Sequence, residues 1–391
     1  MKYNFDKVID RSGTSAEKVE GLKHIWGRTD LIPLWVADMD FATAPFVTDA
    51  IRKRCENEVL GYTGKPDSYY NAIINWVKQR YDLIVTKEVI NFVPGIVPGI
   101  GMAMNCFTQK GDKVMIQPPV YHPFAWVTTR NERTLVINPL KWENGMYRMD
   151  LDAFREQIKG CKLFILCNPH NPGGVVWTEA ELRAIADICY DEKVLVFSDE
   201  IHADLTLPPH THRPFATVSE KARMNSVTFM SPSKAFNMPG LSASHALIFN
   251  EDLRKRFRIY MDAGELDMGH VFAFLSVEAA YSHGTEWLDQ CLAYIQGNID
   301  FVDEFLKKHA SKIKAIRPEA SYLVWLDCRE LELSQKDLNE FFVDKAHLAL
   351  NDGEMFGKEG IGFMRLNVAS PRCIIEKAMK QLADAYQLYI K

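Results

Sequence analysis

The chain has 391 residues, is 47% hydrophobic and 25% charged, and carries a formal net charge of −5. Those proportions are ordinary for a globular protein, and the length leaves room for two domains, or one large domain with a smaller one attached. The acidic balance and the lack of any basic run argue against a nucleic-acid partner or an anionic membrane surface.

The opening residues, Met1–Asp6, lack the apolar core of an export signal, and no apolar run is long enough to span a bilayer. The eight cysteines are scattered and no pair forms C-x-x-C. They read as reduced thiols of a cytoplasmic protein, with neither a disulfide framework nor a metal site.

In chain order, the first fifty residues look irregular. The segment Pro94-Gly95-Ile96-Val97-Pro98-Gly99 reads as a loop before a helix that begins near Gly99. Strands are expected at Val114–Gln117, Leu163–Cys167, Val194–Ser198, Val227–Met230 and Ala246–Phe249, with helices between them. One such helix, Glu179–Asp191, opens after Thr178 as an N-cap. This alternation predicts an α/β fold with a mainly parallel sheet covered by helices on both faces. The C-terminal part predicts a long helix over Thr285–His309, strands at Lys314–Arg317, Tyr322–Leu326 and Phe363–Asn367, and a helix after Pro371. The expected division is a large domain over residues 50–285 and a smaller α+β domain from residues 1–49 and 286–391.

Open α/β sheets bind ligands at the carboxyl ends of their strands. Following the expected strands come Asn168–Gly174, then Asp199-Glu200-Ile201-His202, then Ser231-Pro232-Ser233-Lys234. Lys234 offers an amine able to form an imine with an aldehyde. Ser231 and Ser233 offer hydroxyls, and Ile96 and Val97 offer backbone N–H groups at a helix start, all suited to a phosphate. Asp199 suits a protonated heterocyclic nitrogen, Asn171 and His202 a ring hydroxyl, and Tyr121 a ring face. These needs coincide in pyridoxal 5'-phosphate.

Taken singly, each piece has a plainer reading. Asn-Pro-Gly-Gly is first a turn, and an acidic pair after a strand can simply cap a helix. Ser231-x-x-Lys234 also occurs in penicillin-binding proteins, but the Ser-Asp-Asn and Lys-Thr-Gly tripeptides that go with it are missing. What raises the set is that all its members fall at strand ends and serve one ligand.

The same residues resemble a known family. Asp10-Arg11, Pro33-Leu34-Trp35-Val36-Ala37-Asp38-Met39-Asp40-Phe41, Gly61-Tyr62-Thr63, Tyr121-His122-Pro123-Phe124, Asn168–Gly174, Ser198–Asp204, Ser231–Leu241 and Met364-Arg365-Leu366-Asn367 are similar to the MalY/PatB-like C–S lyases. These are fold-type-I pyridoxal-phosphate enzymes of the aspartate aminotransferase superfamily, also called cystathionine β-lyases. The resemblance runs nearly end to end. It implies that Lys234 carries the cofactor and moves the Cα proton, that Asp199 pairs with the pyridine nitrogen, and that Tyr121 stacks on the ring. It also implies that Asn171 bonds the phenolic oxygen, while Ser231, Ile96 and Val97 hold the phosphate. Arg365 would grip the substrate carboxylate. Tyr62 would reach the active site of a second subunit, making the enzyme a homodimer with shared sites. His202 stands where aminotransferases usually carry tyrosine and these lyases histidine. The expected reaction is α,β-elimination from an amino-acid thioether such as L-cystathionine, giving a thiol, pyruvate and ammonia. A class I/II aminotransferase is the rival, and some members of the resembling group also act on a transcription activator. Around Thr14–Glu20 the chain departs from the family pattern, with Lys18-Val19-Glu20 in place of Lys-Trp/Tyr-Asp.

Overall fold

A computed structural model describes residues 2–390. Its centre is a seven-stranded sheet. The strands are β1 (Ile90–Val93), β2 (Lys113–Ile116), β3 (Thr134–Ile137), β4 (Leu163–Cys167), β5 (Leu195–Asp199), β6 (Ser226–Met230) and β7 (Ser244–Leu247). Their order is β1-β7-β6-β5-β4-β2-β3, parallel except that β7 runs against both its neighbours. All five residues of β4 are buried, as a strand covered on both faces requires.

Several expected elements appear over the same residues. β4 and the helix Glu179–Asp191 match, and Thr178 closes a capping box. Its hydroxyl accepts from the Glu181 N–H at 3.2 Å, and the Glu181 carboxylate accepts from the Thr178 N–H at 2.8 Å. Other strands shift by one or two residues. Two, β1 and β3, were not expected, and the parallel run is broken by β7, which is antiparallel to both β1 and β6.

The helix expected near Gly99 begins three residues earlier, as α1 (Ile96–Phe107), with Gly95 as its N-cap. Pro98 does not break it, because the first N–H groups of a helix have no intrahelical partner to lose. Gly99 lets α1 lie close on the sheet: a Cβ there would sit 2.9 Å from Val93 and 3.2 Å from the Phe229 ring.

The C-terminal part builds a second sheet from β8 (Lys314–Ile316), β9 (Leu323–Asp327), β10 (Asn351–Asp352) and β11 (Phe363–Asn367), in the antiparallel order β8-β9-β11-β10. The 25-residue helix Thr285–His309 and the helix Arg372–Tyr389 accompany it. The first fifty residues are more regular than expected, holding helices Glu17–Trp26 and Pro45–Cys55. They also reach the C-terminal part: Ile32–Pro33 pairs in parallel with Leu348–Ala349 as a small separate sheet, and the Asn367 N–H on β11 donates to the Leu34 carbonyl at 3.0 Å. From there residues 34–41 cross to the large sheet, where the Asn237 side chain bonds Met39 in both directions at 3.0 Å. This strap and the carboxyl ends of β4, β5 and β6 frame the site. Among the described residues no helix is long and apolar enough to cross a membrane.

His245 on β7 is fully buried, and among the described residues neither ring nitrogen has a hydrogen-bond partner. Burial pushes its pKa from 6.5 down to about 3. Between those values the unfolded chain binds the extra proton, so His245 subtracts stability as the pH falls below 6.5. We expect His245→Leu to move the acid-unfolding midpoint to lower pH, read by tryptophan fluorescence. An unchanged or higher midpoint contradicts this.

Candidate active site

The carboxyl ends of the central strands open into a cavity of about 210 Å³. Lys234, four residues after the end of β6, lines it together with Asp199, the last residue of β5. Asn171 and Cys167 come from β4 and its following turn. Tyr121 comes from the turn after β2, and Ile96 and Val97 from the first turn of α1. The strap supplies Ala37. His202 and Ser233 also line the cavity, so most of the expected set meets in one place.

The groups differ in what burial does to them. Asp199 is buried, and loss of water raises its carboxyl to about 7 even though the Ile201 N–H donates to it at 3.1 Å. That carboxyl becomes an anion readily only if a cation faces it. The neighbouring Glu200 points elsewhere. Its carboxylate takes Ser198, His212 and the Phe215 N–H, each at 2.8 Å, and so fixes the turn after β5 from behind. Desolvation also pulls the Lys234 ammonium down to about 8, a value at which much of it is the neutral amine near pH 8. Its Nζ donates to the Ala37 carbonyl, which the Tyr322 hydroxyl also bonds at 3.0 Å. Burial holds His202 neutral, at about 3, and among the described residues its Nδ1 has no hydrogen-bond partner.

Gly95 adopts φ 147, a conformation open to glycine, and no side chain caps the helix it starts. Ile96 and Val97 line the cavity in the first turn of this helix, where N–H groups lack intrahelical partners and the helix field favours an anion.

Arg365 lies beside the cavity on β11 and is 3% exposed. It donates to the Asn171 side chain at 3.0 Å, to the Trp35 carbonyl at 3.1 Å and to the Asn351 side chain, and stacks over Phe356 at 4.8 Å. Its Nε has no partner, and among the described residues no carboxylate pairs with it. Burial lowers its pKa to about 10. A buried guanidinium left without an anion is a receptor for one.

Two expected residues stand apart. The Ser231 hydroxyl points away from the cavity, donating to the Ala243 carbonyl at 2.7 Å and accepting from the Ser233 N–H at 3.1 Å. Its place on the lining falls to Ser233, Ser242 and Ser244. Tyr62 lies on an exposed segment outside the cavity and is 98% exposed. Ala37, Ser242 and Ser244 were missed. The first belongs to the Trp-Val-Ala-Asp-Met-Asp-Phe run, which was noticed only as a motif. The serines follow the lysine by eight and ten residues with no pattern to mark them.

An amine drawn toward its neutral form, a carboxyl in need of a cation, the N–H groups of a helix start and an unpartnered imidazole together fit pyridoxal 5'-phosphate, group for group. Comparison with known proteins agrees. Residues 29–382 match the family described as aminotransferase class I and II. The chain is 38% identical to cystathionine beta-lyase PatB of Bacillus subtilis over 384 residues, covering 98% of this chain and 99% of that protein. It is 30% identical to protein MalY of Escherichia coli, covering 98% of each. The crystal structure of cystalysin from Treponema denticola, which contains a pyridoxal 5'-phosphate cofactor, superposes with a TM-score of 0.96 at 33% identity over the full length of both chains.

Proposed function

The chain belongs to the aminotransferase class I and II family, and within it we propose that it is a pyridoxal-phosphate-dependent C–S β-lyase acting on an amino-acid thioether. The observation that carries the reading is the meeting of Lys234, Asp199, Asn171, Tyr121 and the first turn of α1 in one cavity, beside an Arg365 with no anion of its own. The lyase names of PatB and of relatives like it favour elimination over amino transfer.

Lys234 would hold the cofactor by its amine, and Asp199 would face the ring nitrogen, becoming an anion as it does so. Asn171 and His202 would serve the ring oxygen, Tyr121 the ring face, and Ile96, Val97, Ser233 and Ser242 the phosphate. When bound, pyridoxal phosphate supplies an electron sink for the pair left at the substrate Cα. The chain's own residues do the rest. Arg365 orients the substrate by its carboxylate, with Asn171 as the shared partner of both. Lys234, pulled toward the neutral amine by its surroundings, takes the Cα proton and holds it on Nζ against the Ala37 carbonyl. A thiolate then leaves Cβ and, being a good leaving group, needs no dedicated acid. Among the lining residues His202 is buried and held neutral, so it does not act as one.

The working unit we propose is a cytoplasmic homodimer. Tyr62 supports it, since a tyrosine 98% exposed beside Val59 and Leu60 at 71% and 57% is apolar surface suited to a second copy, whose active site it would complete. All eight cysteines are unpaired, as a reducing compartment would leave them. L-Cystathionine is the first substrate to try. With pyridoxal phosphate bound, the protein is expected to release free thiol from it continuously, read with a thiol-reactive dye. Lack of thiol release from cystathionine, cystine and S-alkyl cysteines alike contradicts the lyase.

A further inference from the structure

Helix Glu17–Trp26 carries one lysine that is not on the surface: Lys18 is fully buried. Its Nζ lies 2.8 Å from Asp40, 3.4 Å from the Asp38 carbonyl and 3.6 Å from the Asp38 carboxylate. Arg11 closes the cluster, gripping Asp38 at 2.6 and 3.2 Å and reaching Asp40 at 3.2 Å. Two cations thus neutralise two carboxylates at the end of the strap. Residue 37 is between these anchors and Arg365, which holds the Trp35 carbonyl, and Asn367 holds the Val36 and Asp38 carbonyls at 2.7 Å each.

We propose that Lys18 is a positioning residue for Lys234: by clamping Asp38 and Asp40 it fixes the Ala37 carbonyl that receives the Lys234 ammonium and balances the charge of Asp38 behind it. The cost of burying an ammonium is recovered only if it is paired, and this one is paired with the loop that touches the working amine. The groups facing Lys234 are Asp38 and Ala37 from the strap, Asp199 and His202 from the end of β5, Arg365 from β11 and the Tyr322 hydroxyl. Of these, Asp38 is the one that Lys18 contacts directly, and Ala37 follows it in the strap. The inference rests on Lys234 doing proton work with the cofactor, whichever product follows.

Lys18→Met keeps the stem and removes the charge. The strap then presents an unbalanced carboxylate, so the Lys234 ammonium is favoured and its titration moves to higher pH. The full-length chain stripped of cofactor is acetylated competitively across pH, and modification at Lys234 is read by mass spectrometry. The Lys234 midpoint is expected to rise in Lys18→Met. In the cofactor-loaded protein kcat/KM is expected to fall about tenfold or more, in the range that a small misplacement of a reacting group costs. A purely structural lysine would lower the melting temperature and leave the midpoint where it was. Should Lys18→Met not fold, Lys18→Gln, which removes the charge but can still bond Asp40, carries the test with the same sign: its Lys234 midpoint is expected to rise. An unmoved midpoint in the folded Lys18→Met, or in Lys18→Gln where the former does not fold, overturns the proposal. Because the acetylation needs neither cofactor nor substrate, that failure is separate from failure of the lyase reading.

Discussion

Lys234→Ala is expected to lower kcat by roughly 10²–10⁴-fold, the range that a positioned proton-transfer group supplies. No neighbour can replace it. His202 is held neutral at about 3 and Arg365 remains a cation up to about 10, so neither is a base suited to a Cα proton at neutral pH. Tyr121 is half-buried, and desolvation raises its pKa above that of an ordinary phenol. The fold should not suffer, because the Ala37 carbonyl keeps the Tyr322 hydroxyl at 3.0 Å. Steady-state rates measured beside a thermal melt decide the matter. A folded Lys234→Ala protein with more than a tenth of the wild-type rate would remove Lys234 from the mechanism.

Arg365→Ala is expected to lower kcat/KM by about 10- to 150-fold, chiefly through KM. A hydrogen-bonded contact to a charged group is worth about 1.5–3 kcal/mol, and tenfold corresponds to about 1.4 kcal/mol. The carboxylate is held in the bound substrate and throughout the reaction alike, so its loss appears mainly as weakened binding. Some loss in kcat should follow as well, because Arg365 also fixes the Asn171 side chain at 3.0 Å. Arg365→Lys keeps the charge without the planar fork and should recover only part of the loss. Initial-rate kinetics on a thioether amino acid and on its amide separate the cases. The amide, lacking the carboxylate, should discriminate poorly between wild type and variant. A variant with wild-type KM for the free acid would show that the buried guanidinium serves the fold alone.

Much of this was legible in the sequence, for reasons that differ residue by residue. β4 and the helices Glu179–Asp191 and Thr285–His309 were readable because a buried parallel strand is a continuous apolar run and a helix announces itself by period and cap. That Lys234, Asp199 and Asn171 share one cavity was readable because open α/β sheets form their crevice where strands end. β1 was missed because it is short, contains Asn91 and pairs with β7, more than 150 residues away. Pro94–Gly99 was read as a loop because proline and glycine usually break helices, whereas in a first turn proline breaks nothing. The direction of the Ser231 hydroxyl is a matter of rotamer, which no sequence pattern records. Lys18 looks like solvent-facing charge on an amphipathic helix, and only the fold brings Asp38 and Asp40 to it. Tyr62 is 98% exposed in the single chain, so a place for it at a second subunit rests on the resemblance alone.

Elimination and amino transfer share their early steps and diverge in what happens to the amino group. The most direct measurement of the central reading is therefore pyruvate formed per active site from L-cystathionine with no keto acid present. An eliminating enzyme regenerates its starting state each time, so pyruvate should exceed the number of active sites many times over, with thiol in equal amount. Pyruvate absent, with at most one amino group taken up per site until a keto acid is added, would contradict the lyase and make the chain an aminotransferase.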